Sequence, residues 1–277
     1  MAATDEASIV RLGASDARAG LALSTEAHWN QNEADWHFFL TQGEVFGVRD
    51  DKGLLIASAA LLPYSAGNAW ISMVLVTERR RRRGLATKLV DACLAAAAKQ
   101  GLVTWLDATP AGATVYGPLG FAPTLQLRRL RLERAMSTKA EAPPSLVACA
   151  TDTLVAQDRR AMGFDRGSLL GALAGRSASR LLASGDAIAL VRDGRKARHI
   201  GPLFAESPEQ AHALVNEIVW SESGSLLIDA VYEQEEFLRR LTGSGWKIER
   251  PFQRMRFGTA TALPAKLPFA VAGPEYG

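Results

Sequence analysis

Residues 74–87 read Val74-Leu75-Val76-Thr77-Glu78-Arg79-Arg80-Arg81-Arg82-Arg83-Gly84-Leu85-Ala86-Thr87. An apolar strand-length run ends at Val76 and five arginines follow. Gly84 then opens a helix with Leu85, Leu89, Ala92, Cys93 and Ala96 on one face and Gly101 as its stop. The start of a helix presents unpaired backbone N–H groups and the positive end of the helix dipole, so it attracts phosphate-like anions. Gly84 and Ala86 are small enough for a ligand to approach the backbone, and Arg81, Arg82 and Arg83 add charge at the same place. A solvated loop or a localisation signal accounts less well for arginines set inside a strand-to-helix junction.

Working outward, the segments Val45 to Arg49, Leu54 to Leu62 and Ala69 to Val76 are apolar and strand-length, and turn formers join them, so an antiparallel meander is expected. Before it, a short strand over Ser8 to Leu12 precedes a helix over Asp16 to His28, and Asn32 caps a second helix ended by Gly43. After the basic turn come a helix to Gln100, a strand over Val103 to Ala108, a short helix over Ala111 to Leu119 and a strand within Phe121 to Leu132. The order is βααβββαβαβ. Residues 135–150 hold Pro143-Pro144 among small and charged residues and are read as a linker. That divides the chain into residues 1–134, the linker and residues 151–277. The last segment loosely repeats the element order of the first.

At 277 residues, with 48% apolar and 22% charged side chains, the chain has the makings of a folded protein of two domains. The net charge is +3, but without the arginine run 27 basic residues face 29 acidic ones. The positive charge is therefore local, unlike a general nucleic-acid-binding face. Met1 to Ser8 lacks a basic start and a following apolar stretch, so no secretory signal is expected, and the longest apolar run, Leu54 to Pro63, is too short to span a bilayer. Cys93 and Cys149 form neither a disulfide framework nor a metal-ligand spacing. His28, His37, His199 and His212 show no ligand spacing either, so they are read as surface or helix residues and no metal site is expected.

Arg81, Gly84 and Ala86 form an R-x-x-G-x-A pattern that resembles the pyrophosphate-binding loop of the GNAT superfamily of N-acetyltransferases. The preceding strand, the following helix, the strand containing Trp105-Leu106-Asp107-Ala108-Thr109 and the Y-x-x-x-G-F segment from Tyr116 to Phe121 extend the likeness over most of residues 8–132. The resemblance implies an α/β fold of the α+β type: two GNAT-like domains, each a mixed, mainly antiparallel sheet flanked by helices. It implies a soluble, cytoplasmic acyltransferase that passes an acetyl group from acetyl-CoA to the primary amine of a small molecule by direct attack, with no metal. No nucleic-acid or membrane partner is expected, and a homodimer is left open.

Carried over residue by residue, the resemblance assigns coenzyme binding to Val74, Leu75 and Val76, whose backbone would pair with the pantetheine arm, and to Arg81, Arg82, Arg83, Gly84, Leu85, Ala86 and Thr87. Tyr116 falls where many members place a general acid. Trp29, Asn30, Asp35 and Trp36, in the segment between the first two helices and just beyond it, are acceptor-pocket candidates, weighed against a core tryptophan pair with an Asn cap. Asp107 is a further pocket candidate, in a segment that lacks the asparagine frequent near this point in the family. The strand Ile71 to Val76 has no carboxylate where many members carry the general base, so Glu78, Asp107, Asp35 and a water chain stay open for that role.

The second half resembles the additional GNAT-like domain of tandem acetyltransferases in residues 199–205 and 253–255, but it has no second R-x-x-G-x-A turn. Glu206 and Glu209 stand where phosphate would have to approach, so a second coenzyme site is not expected, and Asp165 and Arg166 are candidate polar contributors to the acceptor site or an ordinary salt-bridged helix start. A non-catalytic acyl-CoA sensor is the main alternative for the whole chain, with nucleic-acid binding a distant third.

Overall fold

Short apolar strands broken by turn formers and amphipathic helices give the order read from the sequence. The computed structural model describes residues 8–135, 146–259 and 266–277. The elements of the first half are β1 (Ile9–Arg11), α1 (Ala17–Glu26), α2 (Glu33–Gln42), β2 (Glu44–Arg49), β3 (Leu55–Tyr64), β4 (Asn68–Val76), α3 (Leu85–Lys99), β5 (Val103–Ala108), α4 (Pro110–Tyr116) and β6 (Ala122–Ala135). Those of the second are β7 (Val147–Ala148), α5 (Thr151–Met162), α6 (Gly167–Ala174), β8 (Arg180–Ser184), β9 (Ala187–Arg192), β10 (Arg198–Phe204), α7 (Pro208–Ser221), β11 (Gly224–Val231), α8 (Glu235–Gly243) and β12 (Lys247–Phe257). With β7 and β8 the second half has the order βααβββαβαβ, the same as the first. Of the expected linker, residues 136–145 lie outside the described residues.

Backbone contacts divide the chain into two compact units, Met1–Pro63 with Gly67–Thr104, and Tyr64–Ala66 with Trp105–Gly277. In the first unit β1, β2, β3 and β4 lie side by side, with β1–β2 and β2–β3 antiparallel. The pair α1 and α2 is set by two local features. Asn32 and Asp35 form a capping box, each side chain accepting from the other's backbone N–H at 3.0 and 2.9 Å, which starts α2. Gly20 lets α2 come close, because a Cβ there would lie 2.3 Å from the Trp36 ring. Trp36 is fully buried and its indole N–H donates to Ser24 Oγ at 2.9 Å, so the ring's one polar atom is satisfied inside the core.

The strand order in the second unit is β5–β12–β6–β11–β10–β9–β8–β7. β6, the last strand of the first half of the sequence, is paired antiparallel to β11 on one side and β12 on the other. β12, the last strand of the second half, lies between β5 and β6. Each half of the sequence thus lends its final strand to the other. α7 and α8 bury Leu214, Ile218, Phe237 and Leu241 against the apolar residues of β9, β10 and β11. β10 and β11 run parallel.

Candidate functional site

The basic turn begins where β4 ends. β4 is not a regular strand: Met73 has φ of 50°, a left-handed conformation rare for a side chain of this size, and its carbonyl accepts the Ser58 hydroxyl at 2.8 Å. Past this kink Val74 and Val76 are half-buried and Leu75 is buried. Val76 O accepts from Arg81 Nε at 3.2 Å, which ties the basic turn back to the strand end.

Arg81, Arg82, Arg83 and Gly84 are all exposed. Arg82 (φ 61°) and Gly84 (φ 78°) are both left-handed, and the arginine holds that conformation at a cost of about 1–2 kcal/mol. A Cβ on Gly84 would meet no protein atom within 4 Å, so within the protein itself the position calls for glycine through its backbone angle. Gly84 is the N-cap of α3, no side chain caps the helix, and Lys88 N–H bonds to Gly84 O at 3.0 Å as the first helical bond. Leu85 is buried and anchors the first turn, while Ala86 and Thr87 are half-buried. This is an open, cationic, uncapped helix start of the kind that binds phosphate through backbone N–H groups and guanidinium donors together.

The acceptor-pocket candidates in this unit divide. Trp29 is half-buried, its N–H bonded to Ser24 O at 2.9 Å, and Asn30 is buried in the same loop. Asp35 and Trp36 are wholly buried in the α1–α2 joint described above. Gln31, whose type alone did not single it out, is buried with its Oε1 unpartnered.

In the second unit, Thr109 Oγ1 accepts the Gly112 N–H at 3.2 Å and, with Pro110 in the first turn, starts α4. α4 ends at Tyr116, which is 9% exposed with its ring 6.0 Å from that of Phe121. The Asp107 side chain is fully buried and forms a two-pronged ion pair with Arg254 of β12, both contacts at 2.8 Å. Burial pushes the Asp107 carboxyl up, against the pull of Arg254. No feature near residue 107 pointed to Arg254, because the partner sits 147 residues away on a strand that only the fold brings alongside.

The same unit holds charges that the sequence reading placed elsewhere. His199, expected on the surface or a helix, lies on β10 with its side chain 2% exposed. Its Nε2 is 2.8 Å from Asp229 Oδ2, and Arg129 clamps Asp229 with two contacts at 2.8 Å. Burial alone would raise the Asp229 carboxyl, but Arg129 and His199 hold it well below the usual carboxylate range. Burial and the Arg192 charge push His199 down, and its buried Nδ1 has no partner to receive a second proton, so the neutral ring donates from Nε2. A carboxylate ending the apolar run Leu226 to Asp229 was the one available signal, because a charge inside a strand needs a buried partner. Arg166 is likewise interior, paired with Asp158 at 2.6 and 3.0 Å and donating to Tyr276 O at 2.8 Å.

Among the described residues no group of three or more His, Cys, Asp or Glu is placed to hold a metal ion, and no helix is long and apolar enough to cross a membrane. Cys93 and Cys149 are free.

The "Acetyltransferase (GNAT) family" description matches residues 16–121, and the "Acetyltransferase (GNAT) domain" description matches residues 154–267. No curated protein matches the chain significantly. Among solved structures, a protein of Pyrococcus horikoshii provisionally assigned as an acetyltransferase is similar with a TM-score of 0.82 and 19% identity, covering 99% of this chain and 96% of that one. A tandem GNAT protein from the clavulanic acid biosynthesis pathway gives 0.64 and 15%, over 92% of this chain and 100% of its own. A GCN5-related N-acetyltransferase from Sphaerobacter thermophilus gives 0.63 and 15%, over 91% and 96%. At such identities the likeness is one of fold. The two family matches lie one after the other along the sequence, and the chain belongs to the GNAT superfamily of acetyltransferases as a member of the tandem type.

Proposed function

We propose that the chain is an acetyl-CoA-dependent N-acetyltransferase acting on a primary amine of a small molecule, with its coenzyme site in the first domain. The observation that carries this reading is the exposed Arg81–Gly84 turn at the uncapped start of α3, directly after the kinked strand β4. Arg81, Arg82 and Arg83 with the backbone N–H groups of Leu85, Ala86 and Thr87 hold the coenzyme diphosphate. The backbone of Val74, Leu75 and Val76, beyond the Met73 kink, lines the pantetheine arm and polarises the thioester carbonyl. Acetyl-CoA supplies the activated acyl group. The amine nitrogen attacks the carbonyl carbon, the carbon–sulfur bond breaks, the Tyr116 hydroxyl protonates the departing thiolate, and the nitrogen passes its surplus proton to water, from which the tyrosine is reprotonated.

Trp29 and Asn30 border the acceptor in this reading, while Asp35, Trp36 and Asp107 hold the scaffold through the bonds described above. The second domain takes no coenzyme in this reading. The test is release of coenzyme thiol from acetyl-CoA over a panel of amines, with Tyr116→Phe expected to lower turnover by about 10²–10⁴. Normal turnover in Tyr116→Phe removes the tyrosine from the mechanism. Coenzyme binding without thiol release on any amine favours the sensor reading, to which the lack of a carboxylate on β4 points.

A further inference from the structure

β10 and β11 pair in parallel only over Arg198–Ile200 and Leu226–Ile228. Beyond these residues they part, toward the end at which α7 begins. Leu203 of β10 and Ala230 of β11 are instead both bridged to Ala270, from the C-terminal segment of the chain. Phe269 N–H donates to Leu203 O and Leu203 N–H to Ala270 O, both at 2.9 Å. On the other side Val231 N–H donates to Phe269 O at 3.1 Å and Val271 N–H to Asp229 O at 3.0 Å. The segment thus satisfies the backbone groups of both strands in the gap between them, as an added strand does.

Its side chains are built in to the same degree. Phe269 and Ala270 join the core under α7 and α8, and Val271 packs with Leu127, Val231 and Phe252. On the β10 side a Cβ at Gly201 would lie 2.1 Å from Val271 O, so only glycine admits the segment. Beyond it Arg192 Nη2 donates to Ala272 O at 3.0 Å and to Glu275 Oε1 at 2.8 Å.

By element order β10, α7 and β11 of the second domain correspond to β4, α3 and β5 of the first. We infer that the second domain's strand cleft, the counterpart of the slot proposed for the pantetheine arm, is permanently filled by residues 269–272, so that the chain takes up one coenzyme. That the counterpart slot takes the pantetheine arm rests on the function proposed above; the filling of the cleft does not. The sealing is by backbone pairing and packing, and it would exclude a coenzyme whatever charge stood at the start of α7.

Hydrogen exchange on the full chain tests this. The amides of Phe269 and Val271 are expected to be strongly protected and unchanged by saturating acetyl-CoA. Gly201→Ala is expected to speed their exchange at least tenfold. Calorimetry should give one acetyl-CoA per chain, and in the Arg81→Ala, Arg83→Ala double variant that single event should be weakened with no second one beneath it. Fast exchange in the wild type, exchange accelerated by acetyl-CoA, two acetyl-CoA per chain, or an event of undiminished affinity in the double variant overturns the inference. A wild type that binds no coenzyme removes the proposed function instead, and the exchange of the wild type and of Gly201→Ala then decides the filled cleft alone.

Discussion

The helices α3 and α7 follow corresponding strands in the two domains, and their first turns are chemical opposites. α3 starts at a left-handed glycine with no side-chain cap, behind exposed arginines. α7 starts at Ser207, whose hydroxyl accepts the Gln210 N–H at 3.3 Å, with Pro208 in the first turn. The flanking carboxylates of the second start are engaged within the unit, Glu209 with Arg240 at 2.6 Å and Glu206 with Lys266 at 2.8 Å. One helix start has no side-chain cap and stands behind exposed arginines, and the other is capped by a serine. The lesson is that a fold repeated within one chain can keep its element order while only one copy keeps an open, cationic helix start.

The arginines show a second side of the contrast. Arg81, Arg82 and Arg83 of the turn are exposed, whereas Arg129, Arg166 and Arg192 are buried against carboxylates. The largest effect is therefore expected from inside. Arg129→Met leaves Asp229 as an uncompensated buried charge and should destabilise the protein by about 3–5 kcal/mol, read from denaturant unfolding. A loss below about 1 kcal/mol would show that the buried pair contributes little.

Next comes Arg81→Ala with Arg83→Ala, which should weaken acetyl-CoA binding about a hundredfold, roughly tenfold for each charge-assisted phosphate contact. Glu206→Gln with Glu209→Gln should leave that affinity unchanged. Equal responses of the two helix starts would erase the difference between them. Smaller again is a matched pair of cap substitutions. Gly84→Ala forces alanine into a left-handed angle at about 1–2 kcal/mol and should cut coenzyme affinity up to about tenfold. Ser207→Ala should cost about 1 kcal/mol of stability with affinity untouched.

The last is a pH dependence. His199 faces Asp229, Arg192 and Glu275, and its folded value lies below the ordinary one near 6.5, so the unfolded chain takes up the proton first. Stability is then full above about pH 6.5 and falls as the pH drops below it, at a slope of up to roughly 1.4 kcal/mol per pH unit. His199→Gln should flatten that slope in urea titrations between pH 7 and 5. His212, which is also shifted down, leaves a residual slope.

The elements of residues 9–132 were legible because each carries a local signal: alternating or continuous apolar runs, the Asn32 capping box, the stop at Gly43, and the Arg81-to-Ala86 pattern. The short edge strand β7 carries almost no such signal. Residues 266–277 were missed as structure because Phe269-Ala270-Val271-Ala272 is too short to declare itself, and its partners lie on two strands far back in the sequence. His199 was misplaced for a related reason. A histidine beside apolar residues reads alike on a surface or in a core until the carboxylate it meets, 30 residues on, is known.

Local chemistry alone determined where the helices and most strands lie, that the family's basic turn stands before α3, and that the second half lacks it. Those features depend on spacings of a few residues, which a sequence displays directly. Tertiary structure alone decided that β6 and β12 are exchanged between the halves, so that a chain cut after residue 134 leaves β6 with neither of its neighbours. It also decided that Asp107 is spoken for by Arg254, and that the C-terminal segment fills the gap between β10 and β11. Pairings of this kind join residues tens to more than a hundred positions apart. They are selected by which backbone edges and charges would otherwise be buried unsatisfied, a condition that exists only once the core has formed.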